Sequence, residues 1–206
     1  FVITVTDDLD GSTTEDVARK GVAEEEGAEL AGGRTGTGEE DGGAITGTLS
    51  ATDVDGLTDT TIYSVSTEPS KGIATVDAAS GEWSYTPNAN TNGGDSFVIT
   101  VTDDQNGSTT EDVTITVNAV NDSPTGSVTI SGTATEDETL TAANTLADAD
   151  GLGTIAYQWG RAGTAITGET SSTYTLVQAD VGSEISVTAS YTDGEGTAES
   201  VSSSAT

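Results

Sequence analysis

Apolar and polar residues alternate in short runs along most of the chain. The clearest run is FVITVT, residues 97–102, where Phe97, Ile99 and Val101 fall on one face and Val98, Thr100 and Thr102 on the other. A period of two is the mark of a strand with one buried face. An acidic turn follows, DDQNG, and then a Thr/Val run through Asn118. Two such runs around a turn read as a hairpin. The same text opens the chain: FVITVTDDLDGSTTEDV at Phe1–Val17 matches FVITVTDDQNGSTTEDV at Phe97–Val113 in 15 of 17 positions, at an offset of 96, with differences only at Leu9/Gln105 and Asp10/Asn106. A repeat at a long fixed offset signals an array of modules.

Between the two copies, alternating runs predict strands at Ala44–Ala51, Thr61–Ser66, Gly72–Val76 and Glu82–Thr86. TPNANTNGGDS reads as a loop rich in turn formers. The hairpin Phe97–Asn118 closes this unit, and AVNDSP, Ala119–Pro124, reads as a taut linker because the residue before Pro is biased to extended geometry. Beyond it, strands are predicted at Ser127–Ser131, Thr139–Asn144, Thr154–Trp159, Thr173–Val177, Glu184–Tyr191 and Thr197–Ser202. Short strands with turns at regular spacing predict an all-β fold of tandem β-sandwiches joined end to end. The expected division is 1–17, an orphan closing hairpin; 18–34, a linker or aberrant segment read as loop; 35–120, one sandwich; and 121–206, a second. Starting in mid-strand, the chain reads as a segment of something longer.

Composition narrows the chemistry. Lys and Arg number 5 against 35 Asp and Glu, a formal net charge of −30. Phosphate binding needs a basic footprint, so nucleic acid is excluded and an anionic membrane surface disfavoured. Cations are the natural counterpart, and a merely soluble acidic surface is the plain alternative. With no Cys, His or Met, thiolate and imidazole sites for zinc, copper and haem cannot be built, and any metal must be a hard cation held by oxygen. Ser-His and Cys-His nucleophiles cannot be built either, so no enzyme is expected. No apolar run is long enough to span a membrane. Trp83, Tyr85 and Trp159 weigh toward core rather than sugar platforms, since rings dominate the burial of thin cores.

Particular stretches carry a family resemblance. LSATDVDGLTDTTIYSVS, Leu49–Ser66, resembles the Asp-x-Asp region of cadherin repeats, and DDQNGSTTEDVTITVNAVNDSP, Asp103–Pro124, resembles their closing strand and linker. SYTPNANTNGGDSFVITVTDDQNG is similar to the cadherin-like repeats of giant bacterial surface adhesins, many of them type I-secreted. The second unit, with Trp159 ending one strand and a D-x-G turn before a later strand, resembles an Ig-like repeat of the same kind of protein. The resemblance fails across Ala18–Arg34, and the linker NDSP is one residue shorter than the usual NDNxP. It implies cadherin-like and Ig-like Greek-key sandwiches, an extracellular cell-surface location, and Ca2+ at the junctions. Carried over residue by residue, it groups Glu39, Glu40, Asp53 and Asp55 with Asp7, Asp8 and Asp10 at a first junction. At a second junction it groups Asp103, Asp104, Asn121 and Asp122 with Glu136, Asp137, Asp148 and Asp150.

The residue chemistry agrees on the ion. Calcium takes six to eight oxygens, and two DxDG turns, Asp53/Asp55 and Asp148/Asp150, sit at matching places in the two units. Asp and Gly are also good turn residues in their own right. The expected function is a structural, adhesive repeat acting as a calcium-stiffened spacer in a long extracellular protein or filament. The alternative is a carbohydrate- or protein-binding module of a secreted protein. Expected partners are neighbouring repeats or copies of the same chain, with strand exchange through residues 1–17 and a glycan or cell-surface ligand as further candidates.

Overall fold

The structure, a computed structural model, describes residues 3–6, 12–15, 28–53, 62–103 and 107–206. It is all-β, with tandem sandwiches, and among the described residues one 3-10 turn, Gln178–Asp180, is the only helical element. Among the described residues, no helix is long and apolar enough to cross a membrane. Strands β1 (Ile3–Thr6) and β2 (Ser12–Glu15) pair antiparallel as the opening hairpin.

The first sandwich stacks two four-stranded sheets. One runs β3 (Glu29–Gly32), β5 (Ile45–Thr52), β8 (Glu82–Pro87), β7 (Gly72–Val76). The other runs β4 (Thr35–Glu39), β10 (Ser108–Asn118), β9 (Gly93–Thr102), β6 (Ile62–Thr67). The alternation seen in the sequence sets the inward face. Phe97, Ile99 and Val101 of β9 and Val113, Ile115 and Val117 of β10 are all buried. They face Leu49, Trp83 and Tyr85 of the opposite sheet, and Phe97 meets Trp83 edge-on at 5.6 Å and stacks on Tyr85 at 6.3 Å.

Two strands of the first sandwich depart from the expectation. Residues 18–34 read as loop, yet from Ala28 on they enter the first sandwich: β3 pairs antiparallel with β5, and Ala28 and Leu30 join its core. The Glu-rich run upstream hides a single Leu facing inward. β4, TGTGE, has no large apolar residue and so no hydrophobic signal. Its glycines are the reason it packs at all: a Cβ on Gly36 or on Gly38 would lie 2.6 Å from the Ile45 side chain. Among the described residues, β4 and β10 form the only parallel pair, Thr35 through Glu39 against Thr114 through Asn118. The loop expected at TPNANTNGGDS ends early, because β9 already begins at Gly93.

The second sandwich packs β11 (Val128–Ser131), β12 (Thr139–Asn144), β15 (Thr173–Thr175) against β14 (Thr164–Ala165), β13 (Ala156–Arg161), β16 (Ile185–Thr192), β17 (Ala198–Ser202). Trp159 is fully buried beside Tyr174, and its Nε1 donates to Ser171 O at 2.8 Å. The D-x-G turn contributes Asp180, whose carboxylate is buried and accepts from Arg161, from Tyr174 Oη at 2.8 Å and from Val177 N at 2.8 Å. All three signal aromatics, Trp83, Tyr85 and Trp159, are core.

A similar carboxylate clasp ties the first sandwich together. Asp95 accepts from Ser70 N at 3.1 Å, Lys71 N at 2.8 Å, Ser96 N at 2.9 Å and Tyr85 Oη at 2.9 Å. Burial opposes its charge, but the Lys71 and Ser70 amides, the Tyr85 hydroxyl and the Ser96 amide outweigh burial and hold its pKa near about 2, below the ordinary 3.8. A carboxylate lowered on folding stabilises fully above its ordinary pKa and ceases to do so as pH falls through the folded value. Asp95→Ala strands the buried Tyr85 hydroxyl and is expected to cost about 2 kcal/mol at neutral pH. In denaturant titrations its deficit relative to the parent chain should shrink as pH falls from 3.8 to about 2. A deficit independent of pH across that window would show that the carboxylate charge is not what the clasp uses.

Candidate functional site at the junction of the two sandwiches

The parallel pairing of β4 with β10 decides what reaches the junction. Both strands end at the same place, so Glu40 N donates to Asn118 O at 3.0 Å where the linker begins. Glu40 is 2% exposed. Its Oε1 accepts from Val120 N of the linker at 3.0 Å and from Asn92 Nδ2 at 3.2 Å. Asp41 follows with φ of 54° and accepts from Asn90 N at 3.1 Å. The first sandwich thus presents Glu40, Asp41 and the loop ending at Asn92.

The second sandwich presents two adjoining turns. In the turn after β12, Asp148 Oδ1 accepts from Asp150 N at 2.9 Å, and Asp148 Oδ2 accepts from Tyr191 Oη. The β16–β17 turn lies alongside, with Gly194 N donating to Asp150 O at 3.0 Å. Asp193 closes that turn, accepting from Thr197 N at 2.7 Å and Glu195 N at 3.0 Å through Oδ1.

Three bonds cross between these parts. Asp122 N of the linker donates to Asp150 Oδ2 at 2.6 Å. Asn121 Nδ2 donates to Glu199 Oε1 at 2.9 Å. Asn92 Nδ2, already on Glu40, also donates to Glu195 Oε1 at 3.2 Å. The donors are amides and the acceptors are almost all carboxylates, so negative charge accumulates. Burial pushes the Asp122 carboxyl up, and the charges of Asp41, Asp150, Glu40 and Asp148 push it further. Burial also raises the Tyr191 hydroxyl, together with Asp148, Glu199 and Asp193. Two carboxylate oxygens here, Asp122 Oδ2 and Asp193 Oδ2, are buried without a hydrogen-bond partner. Buried polar atoms are ordinarily satisfied, and a charged one left unpaired is costly.

The candidate residues divide differently from the grouping implied by the resemblance. Glu40, Asn121, Asp122, Asp148 and Asp150 come together at this junction, with Glu39 exposed on the strand end just before. Glu40 therefore does not join Asp53. β5 leaves the junction end at Ile45 and carries Asp53 to the opposite end of the first sandwich. Asp103 lies at that same opposite end, because β9 starts beside Val117 and finishes beside Ser108. It closes its own turn, accepting from Gly107 N at 2.7 Å. Glu136 and Asp137 are also away from the junction. β11 starts there, opposite Asn144, and runs away from it, so the β11–β12 turn sits at the far end of the second sandwich, where Asp137 N donates to Leu176 O at 3.0 Å. Asp7, Asp8, Asp10, Asp55 and Asp104 lie outside the described residues.

Sequence reasoning passed over Asp41, Asn92, Asp193, Glu195 and Glu199. Asp193 had a signal. It follows Thr192 at the end of a strand, as Asp103 follows Thr102, and both accept from the amide four residues on. Asn92 and Glu199 had none, since nothing in a run of turn formers or an exposed strand says which residue will face a neighbouring sandwich.

The acceptors gathered here are all oxygens, the ligand atoms that a hard cation requires. The two unpartnered buried carboxylate oxygens, one from the linker and one from the second sandwich, fit such an ion. Among the described residues, no three acidic side chains are already drawn together as a closed metal cage. The arrangement is a cluster of carboxylates where the two sandwiches meet, spanned by a few amide hydrogen bonds. Without a divalent cation, Asp122→Asn should therefore raise the melting temperature by removing a charge that its neighbours oppose. A clear drop, measured by calorimetry in chelator, would show that the Asp122 charge is stabilising.

Residues 26–119 match the family model described as a bacterial cadherin-like domain. No curated protein sequence matches the chain. Among solved structures, the chain is similar to extracellular cadherin domains 3–6 of protocadherin gamma B2, at 13% identity over 85% of this chain and 45% of that one, with a TM-score of 0.49. The human desmocollin-1 ectodomain matches at 11% identity over 86% and 41%, with a TM-score of 0.40. The N-terminal Ig1-2 module of the Drosophila receptor protein tyrosine phosphatase DLAR matches at 11% over 87% and 96%, with a TM-score of 0.29. The chain spans less than half the length of the protocadherin and desmocollin structures.

Proposed function

We propose that this chain, whose residues 26–119 match the model of a bacterial cadherin-like domain, is a structural and adhesive segment of a long extracellular surface protein, a spacer stiffened by calcium where its two sandwiches meet. The observation that carries this reading is the pair of buried, unpartnered carboxylate oxygens on Asp122 and Asp193. Burial, and after it the charges of Asp41, Asp150, Glu40 and Asp148, raise the Asp122 pKa.

The residues that would hold the ion are Glu40, Asp41, Asp122, Asp148, Asp150 and Asp193, with Asn121 beside them. A bound calcium supplies positive charge and oxygen coordination that relieve the repulsion among these groups. The chain's own part is positional. The β4–β10 register delivers Glu40 to the linker, the linker amide of Asp122 fixes Asp150, and Asn92 and Asn121 reach across to Glu195 and Glu199. A spacer built this way is rigid when loaded and hinged when not. Its role is to extend, with no part played by catalysis, and its neighbours are further repeats. The expected setting is the cell surface.

Calcium should raise the melting temperature, with a stabilisation of about 2.7 kcal/mol when free calcium stands at a hundred times its dissociation constant. It should also lengthen and sharpen the particle dimension seen by small-angle scattering. The double variant Asp148→Asn/Asp150→Asn should lose both responses while keeping its β circular dichroism. A parent chain whose melting temperature and scattering length ignore chelator would remove calcium from this function.

A further inference from the structure

Asn92 is followed by Gly93. Glycine carries no Cβ to shield its backbone nitrogen, and here it adopts a φ of 93°. Asn92 is half-buried, and its amide group holds a carboxylate from each sandwich, Glu40 and Glu195, both at 3.2 Å. Its backbone carbonyl accepts from Lys71 Nζ at 2.9 Å. That contact is unexpected in so acidic a chain. Among the described residues Arg34 and Arg161 pair with Glu111 and Asp180, whereas Lys71 forms no ion pair and spends its charge on a peptide oxygen.

We propose that Asn92 is a site of spontaneous deamidation, primed by Lys71 and gated by the opening of the junction. The backbone nitrogen of Gly93 loses its proton to hydroxide and attacks Cγ of Asn92. The Cγ–Nδ2 bond breaks, and the amide nitrogen takes up a proton from water and leaves as ammonia. Water then opens the five-membered succinimide at one of its two carbonyls, leaving aspartate or isoaspartate at position 92. The step needs only water and hydroxide. Asparagine is among the thermally labile residues for this kind of reason.

Lys71 acts on the peptide that must ionise. Its ammonium sits on the carbonyl oxygen of the Asn92–Gly93 peptide, where negative charge gathers once Gly93 N gives up its proton. A positive neighbour favours the anionic form. Glu40 and Glu195 act the other way: they hold the amide, and it must leave them before Cγ can be reached. Parting of the two sandwiches frees the amide from Glu195, while a turn of the side chain frees it from Glu40 and fraying of the strand end frees Gly93 from its pairing with Val117, so the rate follows how often this edge opens. The product reverses the chemistry of the clasp, because a group that donated to two carboxylates becomes a third carboxylate that only accepts. The dependence of this gate on calcium rests on the function proposed above; the modification does not.

Peptide mass mapping of the full chain, aged in mildly alkaline buffer with chelator or with excess calcium, tests this. A short synthetic peptide spanning Asn92–Gly93, aged alongside, is the reference; the chain's own Asn106–Gly107 does not serve, because Gly107 N is held by Asp103 Oδ1 at 2.7 Å. In chelator, position 92 of the folded chain should gain one mass unit, more slowly than the free peptide, and calcium should slow position 92 several-fold without slowing the free peptide. Lys71→Met should slow position 92 several-fold, and Lys71→Arg, which keeps the charge, should not. Asn92 remaining intact in chelator through many half-lives of the free peptide overturns the proposal. An unchanged rate in Lys71→Met overturns the priming. Conversion at position 92 that proceeds equally with and without calcium keeps the site, removes the gate, and counts against the calcium reading instead.

Discussion

The register of β10 is the constraint on which the rest depends. That strand pairs antiparallel with β9 along its whole length and in parallel with β4 over its last five residues. The first pairing aligns Phe97, Ile99 and Val101 with the inward residues of β10 and so builds one wall of the core. The second makes β4 finish where β10 finishes. Glu40 consequently meets the linker, and Gly93, paired with Val117, brings Asn92 to the same edge. A slip of one residue would turn every side chain of β10 to the other face. It would also withdraw Glu40 from the junction, so core and site share one register.

Charge is handled in two ways in this molecule. Asp95 and Asp180 are surrounded by amides, hydroxyls or a guanidinium, and both lie below the ordinary carboxylate range despite burial. They are fasteners, each holding loops onto a sandwich. At the junction the supply of donors runs out. Asp122 is raised above its ordinary value by burial and then by the neighbouring carboxylates of Asp41, Asp150, Glu40 and Asp148. A net charge of −30 is tolerable when spread over a surface in water, but not when gathered between two packed bodies. That contrast separates a structural aspartate from one suited to an ion.

The amide side chains are as informative as the carboxylates. Asn92 and Asn121 each reach from the first sandwich or its linker to a glutamate of the second. Neutral donors of this kind set an orientation without adding charge, and the bonds they make are modest, about 1 kcal/mol each, or somewhat more to a charged acceptor. Two such bonds can bias a hinge without freezing it. The junction is therefore poised to respond to whatever changes the balance of charge around it.

Much of the architecture was legible in the residue pattern. Period-two runs at Phe97–Thr102, Gly72–Val76 and Thr139–Asn144 located their strands, and buried rings marked both cores, because alternation records which face meets apolar neighbours. The DxDG turn at Asp148/Asp150 and the linker residues Asn121 and Asp122 were recognisable as acidic and turn-forming from local sequence. β4 was invisible, since a strand of threonine and glycine packs by what it lacks, and Leu30 was masked by its Glu-rich surroundings. Only the tertiary structure decided which acids share an end. Strand direction is a property of pairing, so nothing local says that Glu40 travels to the linker while Asp53 and Asp103 travel away, or that Glu136 sits a strand's length from Asp148. Composition determined that any bound metal must be met by oxygen. The fold determined which oxygens stand together to meet it.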